Sequence, residues 1–270
     1  MHRFSKHFSV VLSLLLALSL VQSSFAAPKK KESKEDFGPY GQYVLDLAYA
    51  YEGGTYVWKS GSGVPFDMIH KGETILKKQP VGTYCCGFTV AIAFQVGSDF
   101  GVFDEFTPKQ VKTWQQEWYG NTPIKAKKKE MAERQGAVAL ETLKIGREVK
   151  NKKDVRAGDF CNYWRKTVKG SSGGHSVIFL EWVKERGKIV GMKYRSSQGS
   201  TNGIGDNVEY FYGVKKDSKG KLKRGIDRDR LYFYRFFKPK ESSKIEQAKK
   251  IAAQRKAEQA LKEAAKKAEK

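Results

Sequence analysis

The sequence predicts an α+β domain in which helices come first and an antiparallel sheet of about five to six strands follows. Three observations carry this. The first half holds apolar positions at helical spacing, including a stretch from Cys85 that is apolar on most sides. The second half clusters short β-branched and aromatic runs separated by Gly- or Lys-bearing turns. The length of 270 residues with 40% hydrophobic positions suits one sizeable core plus extensions, which excludes a polytopic membrane protein and a wholly disordered chain. Three cysteines are too few for a disulfide-stapled miniature fold.

At the N-terminus, Arg3 and Lys6 give a basic start, Val10 to Val21 form an apolar stretch, and Ser24-Phe25-Ala26 supplies small residues one and three positions before a cut after Ala26. Residues 1–26 therefore read as a secretory signal peptide, the apolar run being shorter than the ~20 residues a membrane span needs. The mature chain is expected to be secreted or periplasmic, with no transmembrane segment after cleavage. His2 and His7 leave with the leader, so His70, expected in a Lys/Gly-rich loop, and His175 are the only imidazoles left.

Residues 27–36 are mostly charged and read as a disordered lead-in to a domain spanning 37–238. Val44, Leu47, Ala48 and Tyr51 mark a helix from about Gly41 to Glu52, ended by Gly53-Gly54. Cys85, Phe88, Ile92 and Val96 mark the second, buried helix. Within a polar helical segment at about 104–154, Thr107-Pro108-Lys109-Gln110 offers an N-cap, a proline at the first helical position and a capping-box glutamine. Strands are expected over Phe160 to Trp164, Ser176 to Val183, Ile189 to Ser196, Val208 to Tyr212 and Leu231 to Phe237. Residues 239–270, rich in Ala, Lys and Glu, form a basic helical or disordered tail whose capping box is Ser243 with Glu246.

A formal charge of +22 implies affinity for polyanions without choosing among them. Five tryptophans and a basic surface are compatible with stacking on a single nucleic-acid strand. The aromatics nevertheless lie in apolar strand patterns that core packing explains, so no specific nucleic acid is expected. Metal hydrolysis finds no recognisable ligand set in two histidines a hundred residues apart with no Cys-x-x-Cys pair, and no cofactor is called for.

The chemistry concentrates at Tyr84-Cys85-Cys86-Gly87-Phe88, where a thiol sits at the mouth of a buried helix. Unpaired backbone N–H groups and the helix dipole favour thiolate there; the alternative is a pair of small buried residues. His175 follows the turn Ser171-Ser172-Gly173-Gly174 and precedes an apolar strand, so it is placed to project from a strand end as the base such a thiol requires. On the next strand Val190, Met192, Tyr194, Ser196 and Gln198 share one face, with Arg195 and Ser197 expected on the solvent side. Gln198 or Ser196 is thus available to accept the imidazole N–H, although Gln198 also reads as a turn cap before Gly199. Cys161 is expected to fill the core or, in an oxidising compartment, to pair with another thiol.

The order Gly54-Thr55-Tyr56-Val57-Trp58, Cys85-Cys86-Gly87-Phe88, Ala157-Gly158-Asp159-Phe160 and Gly174-His175-Ser176-Val177 resembles the NlpC cell-wall peptidases, a papain-like family. The resemblance covers about residues 41 to 212. It implies a nucleophile helix packed on an antiparallel sheet, with Cys85 as nucleophile, His175 as base and Tyr56 lining the oxyanion site. Cys86 stands where the family has serine and is the alternative nucleophile. Tyr84 replaces the usual aspartate, and Ser196 or Gln198 must stand in for the third residue. The implied activity is cleavage of amide bonds in peptidoglycan stem peptides, with peptidoglycan or another anionic envelope polymer as partner. The 104–154 segment then reads as a helical insertion beside the groove. A non-catalytic cell-wall or polyanion-binding module on the same fold is the competing expectation.

Overall fold

The computed structural model describes residues 40–58 and 61–237, together with Lys250, Ala253, Gln254, Ala257 and Leu261. The expected signal peptide, the lead-in and nearly all of the tail lie outside the described residues.

Among the described residues from 40 to 237 the architecture is α+β, with five α-helices, a seven-stranded antiparallel sheet and a separate two-stranded hairpin. Helix α1 (Gly41–Tyr49) buries Tyr43, Val44, Leu47 and Ala48. It stops short of Glu52, and Gly53 and Gly54 follow at positive φ as the two-residue strand β1 (Gly53–Gly54). A hairpin of β2 (Met68–His70) and β3 (Glu73–Leu76) leads to helix α2 (Cys85–Asp99). Helix α3 (Pro108–Trp118) starts with the expected capping box, in which Thr107 and Gln110 satisfy each other's backbone N–H. The short helices α4 (Lys128–Arg134) and α5 (Gly136–Thr142) and the strand β4 (Gly146–Glu148) precede the main strands.

Those strands are β5 (Phe160–Thr167), β6 (Gly170–Glu185), β7 (Lys188–Gln198), β8 (Gly203–Tyr210) and β9 (Gly225–Phe236). The sheet order is β1-β8-β7-β6-β5-β9-β4. The sheet therefore has more strands than the five to six expected. The additions are the two edge strands β1 and β4, too short to show a periodic pattern.

Three further expectations are corrected. His175 does not open its strand: β6 begins at Gly170, and His175 lies inside it, paired with Tyr163 of β5. The Gly-rich run before it is extended hairpin, because backbone pairing with β5 does not require side chains. Arg195 and Ser197 are buried at 3% and 0% exposure rather than solvent-facing. Arg195 donates to Ala48 O and Tyr51 O of the α1 region, while Thr83 donates to Ser197 Oγ. That sheet face is covered, so alternation alone misreads it. His70, expected in a loop, sits in β2, where its Nε2 meets Phe106 O at 2.8 Å.

One core packs α1, α2, α3 and α5 against Phe160, Ile178, Tyr234 and Phe236 of the sheet. Trp114 and Trp118 of α3 are fully buried in it, so the 104–154 segment shares the main core. A second core holds Cys161, Tyr163, Val177, Phe179, Met192 and Tyr194. A bridge from Phe211 to Ile226 brings the chain beyond β8 back to β9, so the sheet curls around this second cluster. Among the described residues no helix is long and apolar enough to cross a membrane.

Candidate active site

Cys85 is the first residue of α2 and is 2% exposed. Its N-cap, Tyr84, makes no side-chain cap hydrogen bond, so no capping side chain offsets the positive end of the helix dipole on which the thiol sits. Gly87 allows the helix start to approach the 61–64 segment: a Cβ there would lie 2.2 Å from Gly63 O.

β6 brings His175 to this thiol. The Cys85 sulfur is held well below the ordinary thiol range: the Cys86 thiol donates to it, and against the cost of burial the charge and hydrogen bond of His175 and the backbone of Ser176 add further support. Cys86 moves the opposite way, because it shares its proton with Cys85 across 4.0 Å and because burial and the Cys85 charge oppose a second anion. The two shifts favour ionisation at Cys85 and retention of the shared proton at Cys86.

Gln198, at the end of β7, places Oε1 3.4 Å from His175 Nε2. The orientation of this amide follows from its other end, where Nε2 donates to Gly205 O at 3.1 Å and Thr201 Oγ1 at 2.8 Å. A backbone carbonyl only accepts, so the amide nitrogen belongs there and the oxygen faces the imidazole. His175 Nε2 must then carry the proton, which leaves Nδ1 as the basic nitrogen for the thiol. Ser196 does something else: its hydroxyl donates to Ser176 O at 2.7 Å and ties β7 to β6.

Tyr56 lines the same cleft, its parallel bridge to Thr83 fixing it near the start of α2. Burial, then the nearby Cys85 charge, raises its phenol, which stays protonated and able to donate. The cleft encloses about 880 Å³ and is also bordered by Trp58, Trp164, Gln135, Arg165, Glu209 and Arg224. His70, by contrast, lies outside it. Cys161 is a free, fully buried thiol of the second core, pushed up by burial.

Several contributors have weak sequence signals. Thr89, one turn along α2, shares a 2.7 Å hydrogen bond with Ser176, the neighbour of His175, and accepts from Trp118 Nε1 at 3.1 Å. A threonine inside an otherwise apolar buried helix was the available clue. Gln135 takes an unusual backbone conformation, φ 34°, between α4 and α5, where Asn162 donates to its side chain. Arg165 and Glu209 form an ion pair at 2.6 Å across separate strands, which no local pattern announces. Among the described residues no three His, Cys, Asp or Glu side chains gather as a metal site. Compared with family models, curated proteins and solved structures, the chain matches none.

Proposed function

We propose that the chain is an exported cysteine hydrolase that cleaves amide bonds, its substrate being the stem peptides of peptidoglycan. One observation carries the reading: a thiol held low by the neighbouring Cys86 thiol and by a histidine whose Nε2 faces a glutamine oxygen, with Cys85, His175 and Gln198 all opening on one cleft. Cys85 Sγ attacks the carbonyl carbon and the imidazolium of His175 gives its proton to the leaving amine. The neutral imidazole then takes a proton from water, which attacks the thioester and releases the acid, regenerating the thiolate. The first-turn N–H groups of α2 and the Tyr56 hydroxyl are the donors available to the oxyanion. The resemblance of the Cys85, Asp159 and His175 motifs to NlpC peptidases supports the substrate class, and a basic chain suits an anionic wall.

The test is incubation of the purified chain with peptidoglycan and detection of newly released amines. Release by the wild type and none by Cys85→Ala is the expected result. Equal release by both rejects the thiol mechanism. Sedimentation with wall material that is unaffected by Cys85→Ser and unaccompanied by cleavage supports the binding-module reading instead.

A further inference from the structure

Beside His175 the cleft wall carries an ion pair that the proposed reaction does not use. The side chains of Arg165 in β5 and Glu209 in β8 are 13% and 15% exposed. Arg165 grips the carboxylate with two donors, at 2.6 and 2.8 Å. The same carboxylate accepts from the hydroxyls of Tyr163 and Tyr194, at 2.5 and 3.3 Å. The rings of those tyrosines stand near edge-on to the His175 imidazole, with centroids 5.7 and 5.6 Å away. Imidazole, phenols, carboxylate and guanidinium thus form one contiguous cluster.

A buried ion pair is a poor source of stability, since apolar side chains of similar volume often do as well. Its place beside the base is the informative feature. The fixed hydrogen-bond partner of His175 is an amide without charge, yet the thiolate mechanism needs an imidazolium. Cys85 and Cys86 face this ring from α2, Tyr163 and Arg165 from β5, Tyr194 from β7, Glu209 from β8 and Tyr56 from the loop before α2, with Arg224 on the same cleft. Glu209 is the one carboxylate among the cleft-lining residues.

We infer that Glu209, balanced by Arg165 and linked to the imidazole through Tyr163 and Tyr194, is a positioning residue that sets how readily His175 carries its positive charge. The inference rests on the thiolate–imidazolium reading above. It has a signature in opposite signs. Glu209→Gln keeps the size and the acceptor oxygen but leaves the Arg165 charge uncompensated beside the imidazolium, which loses its proton more easily. Arg165→Gln leaves the Glu209 charge uncompensated, and the imidazolium holds its proton more firmly.

The experiment measures iodoacetamide alkylation of Cys85 in the full chain across pH, resolved by mass spectrometry, and locates the step at which the imidazolium deprotonates. Glu209→Gln is expected to lower that step by about one pH unit and Arg165→Gln to raise it by a similar amount. The double variant is expected to return close to the wild type. If one single variant does not fold, the other decides alone through the sign of its shift. Steps that stay in place while melting temperatures fall overturn the inference and leave the pair a structural strut. A wild-type profile that shows only one ordinary thiol titration overturns the proposed mechanism and this inference with it, which separates the two failures.

Discussion

Thr89→Val tests whether one buried hydroxyl holds α2, which carries Cys85, to β6, which carries His175. The substitution preserves shape and β-branching and changes helix propensity little, so its effect isolates the hydroxyl. Thr89 Oγ1 accepts from Trp118 Nε1 at 3.1 Å and shares a 2.7 Å bond with Ser176 Oγ, with Thr89 itself 0% exposed. Removing it strands the Trp118 N–H in a dry site, which costs about 1–3 kcal/mol, and forfeits the Ser176 bond, about 1 kcal/mol more. The expected loss is therefore about 2–4 kcal/mol, read by urea unfolding through tryptophan fluorescence. Ser176→Ala and the double variant complete a cycle whose coupling is expected near 1 kcal/mol. Because Ser176 adjoins His175, Cys85 alkylation at neutral pH should slow by about tenfold, the equivalent of ~1.4 kcal/mol in the thiolate–imidazole contact. A loss below about 0.5 kcal/mol refutes the packing argument. A full loss with unchanged Cys85 reactivity refutes the claim that this bond sets the site.

Other outcomes follow from the same geometry. At neutral pH a small electrophile should modify Cys85 first, lose that selectivity in His175→Ala, and reach Cys161 only on unfolding, as peptide mapping after brief exposure would show. Gln198→Ala frees the tautomer of His175 and is expected to lower kcat/KM by about a hundredfold, with thermal stability checked separately because Gly205 O also loses its donor. Asp159 gives a pH signature: burial, only partly offset by Arg235 and the Arg156 N–H, raises its carboxyl from 3.8 to about 6. The folded state then binds that proton more tightly than the unfolded chain. This stability is fully present below about pH 4 and lost as pH rises through about 6, a change of about 3 kcal/mol. Asp159→Asn should abolish that slope in unfolding titrations at pH 4, 5, 6 and 7; parallel slopes in the two proteins would rule out Asp159 as its source.

What the sequence made legible were features written in contiguous patterns. The run from Cys85 to Val96 is apolar on most sides, and it forms the buried helix α2. The Thr107 to Gln110 cap is local chemistry, and both of its hydrogen bonds form. The curl of the sheet was not legible, because it depends on a bridge between Phe211 and Ile226 that joins residues with no shared pattern. The burial of Arg195 was also hidden. Its guanidinium is satisfied by carbonyls of the α1 region, remote in the chain, and by its cross-strand partner Asp206 at 2.8 Å. Tertiary pairing made a charged residue acceptable inside, contrary to what alternation implies. Gln198 and Ser196 were equivalent in sequence, being alternate positions on one strand face. They part only because Gly205 and Thr201 pin the glutamine amide toward His175, while Ser176 O draws the serine hydroxyl to the neighbouring strand.

The choice between the two vicinal thiols shows why such distinctions need the sheet. Cys85 and Cys86 share one helix turn and so feel almost the same end of the α2 dipole. The dipole alone would favour ionisation of either, and ionisation of one then suppresses the other, since two thiolates 4.0 Å apart repel. The tie is broken from β6: His175 and the backbone of Ser176 act on Cys85, whereas the remaining contact of Cys86 is the Gln135 side chain at 4.0 Å. Cys86 is left as a donor that stabilises its neighbour's charge, a task a serine hydroxyl also performs. Replacing Cys86 with serine should therefore leave the reactive thiol at Cys85. Cys86→Ala, which removes the donor, should slow its alkylation near neutral pH. If the serine variant instead loses the fast-reacting thiol, Cys86 is the nucleophile and the assignment built on β6 is wrong.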